Sequence, residues 1–372
     1  MTIISIAEIV QTVQTPAELA EAAVRLRQVV AAETILPREV INIFDSWAKK
    51  LDARELDELP GIPFLRMWLR RGTLEPIINR ELGPDALDGG WTDSGHAKLR
   101  PFPIGVVGHW PAGNVEIQPL LSMTCALLGG NACLVRIPSG LVDLTRLLME
   151  KLAQSDPSGR LTKRIFMASF DHRRQDLQAA MAKSVDGAMI WGGEEAVLQI
   201  RALPFPHWAR LAVFGPRISV AMIDSGAWSN SSQQESWCLR LARDVWQFDQ
   251  QACSSPQVLF LERSAGKSAE QFLLNLQRSF ENENRAHPRR QIPAVLTSTI
   301  CQARASWLLN DPVNRAIFPS SPDWTLLMGS GTDLPKPTQG KTLTVLEVDD
   351  LSEPVSKWDG NVQTLGLGMA DP

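Results

Sequence analysis

The run IGVVGHWPAGNVEIQPLLSMTCALLGGNACLVRIPS, residues 104–139, decides the architecture. It opens on a short β-rich stretch, Ile104 to Val107, breaks at a Pro/Gly loop, Pro111 to Asn114, and continues into the helix-compatible Ile117 to Leu128. A second apolar strand, Ala132 to Ile137, follows a glycine pair and leads to another helical stretch, Leu141 to Leu152. The unit recurs downstream: Arg164 to Ser169 precedes one helix, and Gly187 to Ile190 precedes a second that starts near Gly193. Short strands separated by helix-length connections predict an α/β fold, a parallel sheet with helices on both faces.

On the N-terminal side, from about Ala17 to Arg80, apolar residues recur at three and four positions (Leu19, Ala22, Ala23, Leu26, Val29, Val30), the spacing of amphipathic helices. Pro60, Gly61 and Pro63 punctuate this helical region, and Gly83, Pro84, Gly89 and Gly90 form a joint, which puts a boundary near residue 95. On the C-terminal side, a helix from about Gln233 to Trp246 leads into the loop Phe248 to Pro256 and a strand from Gln257 to Leu261. Three regions are therefore expected: a helical segment over 1–95, a parallel α/β domain over 96–224, and a further domain over 225–372 that carries Cys253.

The composition narrows the function classes. Of 372 residues, 44% are hydrophobic and 21% charged, without repeats or low-complexity tracts, which excludes a disordered or collagen-like chain. Lys plus Arg total 37 against 41 Asp plus Glu, a formal charge of −4 that leaves no positive surplus for nucleic acid. The N-terminus lacks the basic and apolar regions of a secretory signal, and no uninterrupted apolar run reaches the roughly 20 residues of a membrane helix, so a cytoplasmic chain without a membrane span is expected. The five cysteines include no Cys-x-x-Cys pair, and no His/Cys/Asp/Glu cluster has ligand spacing, so neither a disulfide framework nor a metal site is expected.

Familiar catalytic signatures are missing: there is no G-x-G-x-x-G fingerprint, no His-Glu-x-x-His helix and no Gly-x-Ser-x-Gly elbow. Gly266-Lys267-Ser268 mimics the end of a phosphate loop, but Leu261 stands where that loop requires glycine, and the segment reads as a turn. In Gly105 to Asn114, small residues allow close backbone approach and the Asn114 amide can donate to a developing oxyanion; the alternative is a plain strand-to-helix turn. Arg136 and Ser139 end a strand where a sheet's carboxyl edge meets a cofactor, although a lone arginine is more often a solvated charge. Trp191-Gly192-Gly193 offers a pyrophosphate the N-terminus of the next helix, or is simply a turn.

Among the cysteines, Cys125, Cys133 and Cys238 read as small core residues, and Cys301 opens a helical stretch without polar company. Cys253 sits in a polar loop beside Gln250, Gln251, Ser254 and Ser255, where a thiolate can be exposed and stabilised by loop N–H groups. No histidine is near it in sequence, though folding can supply one, so spacing leaves a Cys/His hydrolase open. His109 adjoins the Asn114 loop; a histidine satisfied by its local surroundings is the simpler reading than a ligand contact. Trp110, Trp208 and Trp246 are candidates for an acyl tunnel, or core.

Five blocks in one order, GHWPAGNV at 108–115, LLGGNACLVRIPS at 127–139, WGGEEA at 191–196, FGPRISVAMID at 214–224 and FDQQACSSPQVLF at 248–260, resemble the LuxC-type acyl-CoA reductases, a branch of the aldehyde dehydrogenase superfamily. The resemblance implies a Rossmann-like NADP-binding domain, an α/β catalytic domain carrying the cysteine, and NADPH-dependent reduction of an acyl-CoA or acyl-protein thioester to an aldehyde. Matched residue by residue, Cys253 falls on the family nucleophile and Asn114 on the amide of the oxyanion hole. Arg136 falls where the superfamily usually has a lysine facing the adenosine ribose, and Ser139 where NAD-preferring members often carry a glutamate. A carboxylate there would repel a 2′-phosphate, whereas Arg136 with Ser139 can accept one, which favours NADP.

Two departures qualify the resemblance. Val213 stands where hydrolytic aldehyde dehydrogenases have the glutamate that activates water, so release of acid should be slow. Family members also continue for several tens of residues beyond the segment resembling QTLGLGMADP, so this chain reads as truncated or naturally shortened. The resemblance further implies an acyl-transferring partner enzyme and a homo-oligomer. Its rivals are a CoA-acylating aldehyde dehydrogenase working oxidatively and an inactive scaffold subunit of the same fold.

Overall fold

A computed structural model describes residues 6–52, 56, 59, 61–265, 268–289, 291–358 and 360–370, with 231 and 232 described by backbone alone. Gly266 and Lys267, and with them the phosphate-loop mimic, lie outside the described residues. The chain divides into two compact units, Met1–Gly215 and Pro216–Pro372.

The first unit holds β1 (Val10–Thr12), a small antiparallel pair β2 (Thr92–Asp93) and β3 (Lys98–Leu99), and then β4 (Val106–Trp110), β5 (Ala132–Ile137), β6 (Ile165–Ser169), β7 (Gly187–Trp191) and β8 (Arg210–Phe214). Six of these form one sheet in the order β1-β6-β5-β4-β7-β8, and every pair is parallel. From β4 the chain steps out to β5 and β6 on one side, then returns to build β7 and β8 on the other. The crevice between β4 and β7 is thus a topological switch point, where open α/β sheets bind ligands at the carboxyl ends of their strands. Those ends carry Pro111 to Asn114 after β4 and Gly192-Gly193 after β7.

The N-terminal helices are part of this unit. Helix Pro16–Ala32 begins at Thr15, whose hydroxyl accepts the Glu18 N–H at 3.4 Å, with Pro16 preset for the first turn. Its buried stripe, Leu19, Ala22, Ala23 and Leu26, shares a core with Val106, Ala132, Leu134, Phe166 and Ala168. Arg27 clamps Asp186 from the same helix, with Nε at 3.1 Å and Nη2 at 3.0 Å. Asp186 also accepts the Val106 N–H at 2.9 Å, and Gly105, at φ +124°, passes so close that a Cβ there would meet Asp186 Oδ2 at 2.4 Å. An amphipathic stripe needs a partner surface; the periodicity of residues 1–95 shows the stripe, and only the fold shows that the sheet supplies it.

The second unit contains β9 (Ile218–Ile223), β10 (Pro256–Glu262), β11 (Arg315–Ile317), β12 (Thr325–Ser330), β13 (Thr342–Val348) and β14 (Val362–Gly368). Their order is β11-β12-β13-β10-β9-β14, parallel except for β11 against β12. Alternate residues pack on opposite faces: Ala221, Ile223, Leu259 and Leu261 with Trp228, Phe272 and Phe280; Val220, Met222, Val258 and Phe260 with Leu346 and Val348. Both faces are covered, so these strands read as continuous apolar runs. The sequence reading closed the 96–224 domain after Asp224. The structure divides the chain after Gly215 instead, because β9 is hydrogen-bonded between β10 and β14. Strand spacing alone does not say which of two parallel sheets a strand joins.

Candidate active site

Cys253 lies in the loop between helix Ser231–Trp246 and β10, at the amino-terminal edge of the second sheet. The loop begins with an uncommon backbone: Phe248, Asp249 and Gln250 all adopt left-handed conformations, at φ 54°, 57° and 60°. For non-glycine residues this costs roughly 1–2 kcal/mol each, and it persists only where surrounding contacts enforce it. Those contacts are buried and polar. The Gln250 side chain is fully buried; its Nε2 donates to Pro256 O at 2.9 Å and Thr342 O at 2.8 Å, while its Oε1 accepts the Thr342 N–H at 2.8 Å. Asp249 Oδ1 accepts from Arg289 Nε and Nη2 at 2.9 and 2.7 Å and pairs with Lys341 Nζ at 3.3 Å. Burial pushes the Lys341 ammonium below its ordinary value, the Asp249 carboxylate opposes this, and the ammonium also sits 4.7 Å over the Trp246 ring.

The Cys253 end of the loop is held by different groups. Ser219 on β9 donates its hydroxyl to Cys253 O at 2.5 Å, and Gln363 on β14 donates Nε2–H to Cys253 Sγ at 3.3 Å. Cys253 is exposed, whereas Cys133 and Cys238 are buried and their thiols face the Met123 and Phe272 carbonyls at 3.7 and 3.6 Å. Burial raises both of those thiols, Cys238 to about 12. Cys125 and Cys301 are exposed, so the expectation that Cys125 is a core residue is corrected: it lies on the outer side of helix Gln118–Leu128. A cavity of about 250 Å3 beside the loop is lined by Asp244, Gln247, Ser254, Ser255 and Thr364 among others, and burial raises the Asp244 carboxyl above the usual carboxylate range.

The remaining sequence candidates belong to the first unit. Asn114 follows β4 at the switch point. Arg136 is on β5 with its Nε buried and without a hydrogen-bond partner among the described residues; its guanidinium lies 5.8 Å from the Phe170 ring centre. Burial pushes Arg136 below its ordinary value, opposed by Asp171. Ser139 opens the turn Ser139–Leu141 and is exposed. Trp191 stacks on Phe214 at 3.8 Å with 9° between the planes, and its Nε1 donates to Ser122 Oγ at 3.0 Å. Gly192 and Gly193 precede helix Glu194–Arg201, whose first turn carries Glu194 and Glu195, so a pyrophosphate approaching that end meets two carboxylates as well as free N–H groups.

His109 is fully buried on β4, with Nδ1 2.7 Å from Ser122 Oγ. Trp110 and Trp246 are core residues, whereas Trp208 is exposed. Val213 is apolar and partly exposed on β8. Among the described residues there is no metal-binding cluster, and no helix is long and apolar enough to cross a membrane.

The sequence singles out Cys253 as a candidate but not Ser219, Gln363, Asp249 or the burial of Gln250. Gln250 counted as polar company in an exposed loop. The one available signal was the left-handed tolerance of Asp249 next to an amide, and it is weak.

The architecture is that of the aldehyde dehydrogenases. A benzaldehyde dehydrogenase from Corynebacterium glutamicum matches with a TM-score of 0.70 over 96% of this chain and 82% of its own, at 12% identity. An indole-3-acetaldehyde dehydrogenase of P. syringae, solved with NAD+, matches at 0.66, 15% identity, 96% and 82%. Within that class the chain belongs to the acyl-CoA reductase (LuxC) family, which matches residues 21–371. A long-chain acyl-protein thioester reductase of Vibrio harveyi is 27% identical over 207 residues, 55% of this chain and 42% of that protein, so the match spans less than half the relative's length.

Proposed function

We propose that this chain reduces an acyl thioester, carried on CoA or on a protein, to the aldehyde with NADPH, through an acyl group held on Cys253. The observation that carries the reading is the Cys253 loop itself: an exposed sulfur receiving an amide N–H, on a backbone fixed by Ser219 and anchored through buried Gln250. Membership in the family and the name of the Vibrio harveyi relative support the substrate class.

In this reading the Cys253 thiolate attacks the thioester carbonyl carbon, the bond from that carbon to the carrier sulfur breaks, and the carrier leaves as a thiol after taking up a proton. The Cys253 N–H holds the carbonyl oxygen while it bears charge, and the family resemblance gives the Asn114 amide the same role. Ser219 keeps the Cys253 backbone from turning. The residues fit a phosphorylated dinucleotide: the orphaned, buried Nε of Arg136 is a donor awaiting an anion, and Ser139 brings no carboxylate to repel a 2′-phosphate. Arg136 and Ser139 would hold the adenosine end, and Trp191, Gly192 and Gly193 would border the cofactor at the switch point. When bound, reduced NADP supplies the hydride that takes a thioester-level carbonyl to an aldehyde. Val213 offers no base to activate water, which favours aldehyde over acid as the product. The reading carries with it a cytoplasmic enzyme supplied by an acyl-transferring partner.

The test is turnover of long-chain acyl-CoA and of an acyl-protein thioester, with NADPH consumption and trapped aldehyde measured together and the reverse reaction from aldehyde run at matched cofactor. Cys253→Ala should abolish both signals, and Asn114→Ala should lower the rate by roughly 10²–10³. Full turnover in Cys253→Ala would remove the assignment.

A further inference from the structure

Two departures from regular strand pairing converge on one residue. β9 is paired on both sides, and each partner carries one extra residue next to Ser219: Gln257 between Pro256 and Val258 in β10, and Gln363 between Val362 and Thr364 in β14. A bulge gives up a ladder bond and re-aims the side chain it carries, which is why bulges gather beside active sites. Here both re-aimed side chains are amides directed at the Cys253 loop. Gln257 Nε2 donates to Gln250 O and to Ser255 O, each at 3.3 Å, and Gln363 Nε2 reaches Cys253 Sγ at the same distance. Ser219, between them, holds the Cys253 carbonyl.

We infer that Gln363 is a catalytic residue, the donor that stabilises the Cys253 sulfur whenever it is anionic. The inference rests on the reading of Cys253 as nucleophile. Neutral sulfur is a weak acceptor, so an amide N–H contributes little to the thiol and much more to the thiolate. A carboxamide also serves without competing for the proton, as an imidazole or a carboxylate would. The same bond acts twice. It favours the thiolate before attack, and it does so again at release, when the electron pair of the breaking carbon–sulfur bond returns to Cys253 as the aldehyde carbonyl forms. The two buried cysteines show the contrast: their S–H groups face carbonyl acceptors, the arrangement that keeps a thiol protonated.

The test needs neither cofactor nor acyl donor. The full chain is treated with iodoacetamide at pH 7, and labelling of the Cys253 peptide is timed by mass spectrometry, with the buried Cys238 peptide as the control for an intact fold. Gln363→Met takes away the donor that faces the attacking sulfur, so it should slow Cys253 labelling about threefold. Gln363→Glu, isosteric but anionic, should be slower still, and the gap between the two variants should narrow in high salt as the carboxylate is screened. If Gln363→Met speeds labelling of Cys238, Gln363→Glu alone decides. Cys253 labelling unchanged by Gln363→Glu would overturn the assignment. A Gln363 effect without any thioester adduct would sink the reductase reading alone; an adduct without a Gln363 effect would sink only the role given to this amide.

Discussion

Acidification should destabilise the first unit through His109, and the size of the effect follows from its burial. The ring has no exposed surface, its Nδ1 faces Ser122 Oγ at 2.7 Å, and its Nε2 is buried without a partner among the described residues. Charging it would bury an unpaired cation, and burial pushes its pKa down to about 3, against about 6.5 for an unfolded histidine. Between those values the unfolded chain holds a proton that the folded chain refuses. The contribution is therefore present above pH 6.5 and lost as the pH falls, at about 1.4 kcal/mol per pH unit. From pH 7 to 4.5 the loss is about 3 kcal/mol. Hydrogen exchange of the β4 and β5 amides in rising urea, at both pH values, measures it, and His109→Gln is the reference in which the step should vanish while the carboxylate contributions cancel. An equal acid loss in both chains would show that His109 is not its source. A neutral His109 also means that this position, next to Pro111 to Asn114, carries no charge at neutral pH.

Gln250→Ala removes three buried hydrogen bonds, to Pro256 O and to both backbone groups of Thr342, of which the Thr342 N–H keeps Gln339 O at 3.2 Å, so urea unfolding of the second unit should show a loss of about 2–3 kcal/mol; a loss below about 1 kcal/mol would contradict the anchoring role. Arg136→Ala should weaken NADPH about tenfold in a direct binding titration while leaving NADH nearly unchanged, because only the former carries the 2′-phosphate. Equal losses for both cofactors would move Arg136 away from that phosphate.

Four strands of the first sheet are legible in the sequence as short apolar runs between helix-length connections: the expected strand Ala132 to Ile137 coincides with β5, Gly187 to Ile190 falls within β7, Arg164 to Ser169 covers β6, and Ile104 to Val107 overlaps β4, which runs on to Trp110; β1 and β8 are not. What stays hidden depends on partners distant in sequence. Ile218–Ile223 has the same apolar character whichever sheet it joins, and only its pairing with β10 and β14 assigns it. The nucleophile candidate Cys253 stands out because its neighbours are polar, yet the groups that hold it come from Ser219, 34 residues before it, and Gln363, 110 residues after it. Bulges leave no trace in composition, so the aim of Gln363 was not readable. Burial of Gln250 was likewise masked, since a glutamine in a polar loop ordinarily faces water.

In the proposed reaction the Cys253 sulfur carries the acyl group. Mixing the full chain with isotopically labelled long-chain acyl-CoA in the absence of reduced cofactor, then mapping by mass spectrometry, should find one acyl group on the Cys253 peptide, discharged as aldehyde when NADPH is added. An unmodified Cys253 peptide, or an adduct that persists in Cys253→Ser, would contradict it.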